Sequence, residues 1–228
     1  KIASNIMLEP IKLSFYRNLV VIFILLPFAF NKLITNQEVY KKNWKIITLL
    51  SLLSVSIFNT SMNTALTTTS VISSSLMPAF APALIILLSF LIYSSTINIY
   101  QSIGIVVSFF GFITIVLRGS IVNMSQLNFV TGDLWMLIAV TSWAIYSVLL
   151  KKIPKELDSI VFLFLSFFIG NILIIPFYLL ESNIYNSFLL NEKYGMILVL
   201  YCGIGPALIS YICWIKSVKI IGANSSGL

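Results

Sequence analysis

Seven apolar stretches follow one another along this 228-residue chain. They occupy residues 10–30, 46–65, 71–93, 100–118, 134–150, 159–180 and 195–215. Each is about 17–23 residues long, the length an α-helix needs to cross a hydrocarbon core of about 30 Å. Backbone N–H and C=O groups find no water in lipid, and a helix satisfies its own. The expected fold class is therefore an all-α polytopic membrane protein with seven visible transmembrane helices.

Composition excludes other classes. Hydrophobic residues make up 59% of the chain and charged residues 9%, against about 25% charged in a soluble domain. The net charge of +7 forms no dense basic stripe, so no nucleic-acid partner is expected; the partners are the lipid bilayer and a small-molecule substrate. Histidine is absent, which removes imidazole from any metal site, base or proton relay. Cys202 and Cys213 sit eleven positions apart in the last stretch, about 16 Å along a helix, too far for a disulfide or a shared metal. No cofactor and no metal site is expected. Every Asp and Glu falls at a stretch end or in a loop, so neither paired carboxylates nor a nucleophile with its base is available, and the chain does not read as an enzyme.

The charges report orientation. Connections are short, so successive helices alternate in direction. One side then collects Lys32, Lys41, Lys42, Lys45, Lys151, Lys152, Lys155, Lys216 and Lys219, nine of the fourteen basic residues. The other side receives Lys1, Arg118 and Lys193, while Lys12 and Arg17 fall within the first stretch. By the positive-inside rule the nine-residue side is cytoplasmic, and the first stretch runs inward.

The sixth stretch looks like a copy of the first. Glu9, Phe15, Pro27 and Phe28 align with Asp158, Phe164, Pro176 and Phe177 at a constant offset of 149. Ser73-Ser74-Ser75-Leu76 aligns with Ser225-Ser226-Gly227-Leu228 at an offset of 152. The two copies lie five helices apart, an odd number, so the second enters the membrane from the opposite face. Inverted repeats of this kind recur in secondary transporters, with the substrate site near the midplane. In this register the fifth stretch opens the second half, and its counterpart would precede Lys1. Two further helices would follow Leu228. The expectation is a ten-helix, two-fold inverted-repeat unit of which this chain is a fragment that does not transport alone.

Longer runs carry a family resemblance. "NTALTTTSVISSSLMPAFAPALIILLSFLIYSSTINIYQSIGIVVSFFGFITIVLRGS" begins at Asn63. It holds the Ala65-Leu66 pair, a hydroxylated helix start, Pro82, Gln101, Gly104 and Gly111. "GDLWMLIAVTSWAIYSVLLKK" runs from Gly132 to Lys152, and "SYICWIKSVKIIGANSSGL" from Ser210 onward. Together these resemble the EamA-type transporters of the drug/metabolite transporter superfamily. The resemblance implies two inverted halves, a first repeat over 1–120 lacking its first helix and a second over 121–228 lacking its last two. It also implies export or exchange of small metabolites. Ser95 and Thr96 stand where many members carry an acidic and then a basic residue, so the ion pair of that loop is missing.

Nine residues are expected to bind substrate. Arg17 is the one charge well inside a stretch, suited to a bidentate grip on a carboxylate or phosphate; the competing reading is snorkelling toward headgroups. Asn59 and Asn63, four apart, share a helix face. Pro78 and Pro82 each deprive the carbonyl four residues earlier, on Ser74 and Pro78, of its usual donor, opening the third stretch near mid-span. Trp143 with Tyr146, and Tyr211 with Trp214, are pairs three apart that suit an aromatic-lined cavity for an amino acid, a nucleotide-like compound or a drug-like cation. For each of these the bland alternative is helix packing or an interhelical hydrogen bond. Gly104, Ser108 and Gly111 form a strip for close helix contact, within the fold or in a homodimer.

The function that joins these readings is a membrane carrier exporting or exchanging a small metabolite by alternating access; the inverted repeat argues against a scaffold, which has no need of one. The alternative is a non-transporting scaffold or receptor-like bundle. The expected location is a bacterial inner (plasma) membrane.

Overall fold

The computed structural model describes residues 10–116, 130–154, 156–184 and 193–227. Lys1, Glu9, Arg118, Ser125, Lys155, Asn186 and Leu228, which bear on the expected topology and repeat, lie outside them. The described chain forms α1 (Pro10–Thr35), a short α2 (Gln37–Lys42), α3 (Trp44–Thr68), α4 (71–93), α5 (Ile99–Val116), α6 (Thr131–Lys152), α7 (Ser159–Ile184), α8 (193–221) and a short α9 (Ala223–Ser226). Among the described residues six of these, α1, α3, α4, α6, α7 and α8, are long and apolar enough to cross a membrane. The fourth expected span is an apolar helix too, but Ile99–Ile115 is shorter than the other six. Among the described residues the count is thus six spans and one shorter helix, which ends where the described residues end, against the seven full spans expected.

Local chemistry sets the boundaries. Pro10 opens α1 at the first helical position, where its missing N–H costs no bond. Asp158 Oδ1 accepts the N–H groups of Ile160 (2.8 Å) and Val161 (3.4 Å), capping α7. After α6, Ile153 turns extended, as the residue before a proline tends to. Gly222 ends α8 at φ 84°, backbone space that glycine enters freely.

Large apolar side chains such as Phe23, Phe28, Leu91, Val107, Phe110 and Leu180 face outward. That surface suits lipid. The interior mixes apolar groups such as Val21, Phe162, Phe167 and Ile215 with fully enclosed Ser14, Asn18, Ser51 and Ser54. Small residues bring backbones together: a Cβ on Gly170 would lie 2.6 Å from Val55 Cβ, and one on Gly132 2.5 Å from Thr68 Oγ1.

An extensive helix contact joins α1 to α7. Glu181 accepts the N–H groups of Ile11 (3.3 Å) and Lys12 (2.8 Å), satisfying donors that the first turn of α1 leaves open. Farther along, the hydroxyls of Tyr16 and Tyr178 meet at 3.1 Å, and Asn18 Nδ2 donates to Asn171 Oδ1 at 3.3 Å. At the far end Lys32 pairs with Asp158 at 2.7 Å. Numbers rise on α1 as they fall on α7, so the two helices run antiparallel. Each carries an internal proline, Pro27 and Pro176.

Besides the 3₁₀ turn Leu150–Lys152 that closes α6, three segments among the described residues depart from α-helical geometry. Leu52–Ile57 in α3 and Gly203–Ile209 in α8 form π-helical turns. Pro206 lies inside the second, where its missing N–H cannot serve Cys202. In α3, Ser51 and Ser54 donate back to Ile47 and Leu50 (both 2.7 Å), a pattern that loosens a helix. The third departure is a 3₁₀ turn at Met77–Phe80, where Pro78 loses its usual donor at Pro82 and accepts Ala81 N–H instead.

Candidate functional site

A cavity of about 330 Å³ lies between α3, α4, α6 and α8. Its wall includes Phe58 and Met62 from α3, Pro78 and Pro82 from α4, Trp143 from α6 and Trp214 from α8. Its size falls at the small end of ligand pockets, about 300–1,000 Å³.

The wall is built around Trp143. Its ring lies 4.7 Å from Phe58, 5.3 Å from Tyr146, 5.2 Å from Tyr211 and 5.3 Å from Trp214, centroid to centroid. Trp214 is oriented by its indole N–H, which donates to Ser147 Oγ at 3.2 Å; Ser147 in turn donates to Trp143 O at 2.8 Å. The two three-residue aromatic pairs therefore converge on one point from different helices. Of the nine expected site residues, Pro78, Trp143 and Trp214 line the cavity. Tyr146 and Tyr211 are buried behind that wall, and Ser74 is buried in α4 away from it.

The remaining three belong to a polar seam between α1 and α3. Asn63 Nδ2 donates to Ser14 Oγ at 2.7 Å. One turn deeper on both helices are Arg17 and Asn59. Asn59 is 1% exposed, and its Oδ1 lies 3.5 Å from Tyr211 OH. Tyr211 OH donates to Ser54 O at 2.5 Å, and Ser142 Oγ donates to Leu53 O at 2.6 Å. Both carbonyls belong to the π turn of α3, so side chains from α8 and α6 satisfy backbone groups that the irregular turn offers. Arg17 meets α8, where a Cβ on Gly203 would lie 3.1 Å from Arg17 O. Its Nε and Asn59 Nδ2 have no hydrogen-bond partner. At the helix ends, burial works against the Asp158 carboxylate, but bonds from Lys32, Ile160 and Val161 outweigh it and hold its pKa below the ordinary value.

Sequence reasoning missed Phe58, Met62 and Met136 in the wall, Ser147 behind Trp214, and both π turns. The apolar lining residues carry no signal that separates them from lipid-facing ones. The serine pair before one π turn and Pro206 inside the other were legible warnings.

The sequence profile of the EamA-like transporter family matches residues 1–117 and 130–228. A curated relative, an uncharacterized transporter named YyaM from Bacillus subtilis (strain 168), is 24% identical over 189 residues, covering 82% of this chain. The chain spans 61% of the length of that relative.

Proposed function

This chain belongs to the EamA-like transporter family, and on that premise we propose that it forms part of a carrier that exports or exchanges a small metabolite by alternating access. The observation that carries the reading is the cavity itself, enclosed by helices that break at Met77–Phe80, Leu52–Ile57 and Gly203–Ile209. Irregular backbone at membrane depth is tolerated where it is buried in protein or lines a cavity. The aromatic wall suits a flat or apolar group, as on an amino acid, a nucleotide-like compound or a drug-like compound.

The inverted-repeat plan, with halves over 1–120 and 121–228 of a ten-helix unit, draws support from three pairings. α1 and α7 pack antiparallel. Their prolines, Pro27 and Pro176, are 149 positions apart. The π turns begin at Leu52 and Gly203, 151 apart, and end at Ile57 and Ile209, 152 apart. A two-fold axis relating the halves repeats such irregularities, and π turns often mark functional positions. The membrane in question is the inner membrane of a bacterium.

Counterflow in proteoliposomes tests the reading on the complete carrier of which this chain forms part, using labelled amino acids, nucleotides and aromatic cations in turn. Saturable exchange of at least one class is expected, and Trp143→Ala should abolish it while the protein stays folded. A protein that moves none of them, yet is monodisperse and folded, would be the scaffold of the rival reading.

A further inference from the structure

We infer that Arg17 anchors an anion site, in which the guanidinium and Asn59 Nδ2 hold a carboxylate or phosphate group of the transported solute while its apolar body faces Trp143 and Trp214. The inference rests on the carrier reading and names the class of solute.

The first ground is a charge without a counter-charge. Arg17 lies in the second turn of α1, about 10 Å from its start, and is only 9% exposed. A snorkelling arginine would present its guanidinium at the surface; this residue is largely buried, and its Nε wholly so. The acids of the described residues are engaged elsewhere or lie beyond the bundle. Glu181 accepts the first N–H groups of α1, Asp158 pairs with Lys32, and Asp133 accepts a hydrogen bond from Thr69 Oγ1. Glu38 sits in α2, and Glu156 in the turn before α7. Among the described residues no ion pair reaches Arg17. An intramembrane arginine is tolerated where it faces a partner or a cavity.

The second ground is a surplus of donors. Arg17 Nε and Asn59 Nδ2 are both buried and both unpartnered. Each lies one turn from the Asn63–Ser14 bond that joins α1 to α3. Asn18 Oδ1, also unpartnered, is a neutral acceptor and does not balance the charge. Two donors and a positive charge call for an anionic acceptor, and a planar guanidinium fork fits a carboxylate or phosphate edge.

The third ground is continuity with the cavity. The Tyr211 hydroxyl reaches Asn59 Oδ1, and its ring meets Trp143 edge-on at 5.2 Å; α8 passes α1 at Arg17, where a Cβ on Gly203 would lie 3.1 Å from Arg17 O. Trp143 forms the cavity wall. Arg17, Asn59 and Tyr211 lie behind the cavity wall and not in it, so a solute with its anionic head at Arg17 and its body against Trp143 has to displace the Tyr211 ring.

The test uses purified protein in detergent and three probes of similar shape: phenylacetate, phenyl phosphate and the neutral phenylacetamide. Binding is read by tryptophan fluorescence and by the thermal midpoint. At least one anion should bind about tenfold or more tightly than the amide, by analogy with other sites built around a charge-assisted pair; whichever anion binds better names the head group. Arg17→Lys should weaken the anion about tenfold, because the charge remains but the fork is lost, and Arg17→Gln should remove the preference. If those variants do not fold, Asn59→Asp supplies a counter-charge inside the site. It should fold, raise the thermal midpoint and abolish the anion response. Equal binding of amide and anions, no response to any probe, or an anion preference that survives Arg17→Gln or Asn59→Asp overturns the site. Flux in proteoliposomes separates the two readings. An anion response without flux removes the carrier and keeps the site; flux of neutral solutes alone keeps the carrier and removes the site.

Discussion

Tyr211 ties three parts of the molecule together with one hydroxyl. It satisfies a carbonyl of the α3 π turn, reaches Asn59, and holds its ring against Trp143. Tyr211→Phe keeps the ring and leaves Ser54 O short of a donor in a buried place, a loss of about 1–3 kcal/mol. The thermal midpoint in detergent should fall accordingly, and an unchanged midpoint would mean that water or another donor replaces the hydroxyl. Glycine positions give a matched comparison. Gly170→Ala puts a methyl 2.6 Å from Val55 Cβ and should cost about 1–3 kcal/mol. Gly104→Ala meets nothing within 4 Å and should be neutral or slightly stabilising, since alanine favours the helix by about 1 kcal/mol. Equal effects of the two substitutions would contradict the packing at the α3/α7 contact.

At the level of elements, the irregular turns decide where side chains point. Each π turn widens one turn of helix and rotates everything beyond it. Pro206 sits inside the turn that precedes Tyr211 and Trp214. Pro206→Ala returns the missing N–H and permits a regular helix. The expected result is a protein at least as stable as the parent but with its transport lost, because Tyr211 and Trp214 would be turned from their partners. Full transport by this variant would separate the turn from function. The α1/α7 contact has a separate, pH-dependent signature. The folded pKa of Asp158 is depressed, so its contribution is complete above the ordinary aspartate value of about 3.9 and is lost as pH falls through the lower folded value. Below about pH 4 the parent's thermal midpoint should fall more steeply than that of Asp158→Asn. The effect is small, because Lys32 and Asp158 are partly solvated. Parallel curves would show that the pair does not latch the two helices.

For the whole molecule, the arrangement of charge sets the orientation in the membrane. If the seven helices alternate in direction, nine of fourteen basic residues fall on one side, and the positive-inside rule then predicts Lys41 in the cytoplasm and Ser125 outside. Single cysteines at those positions, in a background with Cys202 and Cys213 replaced, should react with an impermeant reagent from opposite faces of intact cells. Reaction from the same face would remove the odd number of crossings between the copies, and the inverted repeat with it.

The helices were legible in the chain because a bilayer demands long apolar runs, and such runs are written locally in composition. The aromatic pairs and the asparagine pair were legible as spacings of three or four, since helical periodicity is local too. Partnership was not. Nothing near Asn18 announces Asn171, 153 positions on, and nothing near Trp214 announces Ser147. Those contacts depend on how whole helices cross, which short-range sequence does not encode. Arg17 shows the division most plainly. Its place in the first span followed from the sequence alone. Whether its long side chain rises to the headgroups or lies largely buried was open to either outcome, and only the packing of α1 against α3 and α8 decided it.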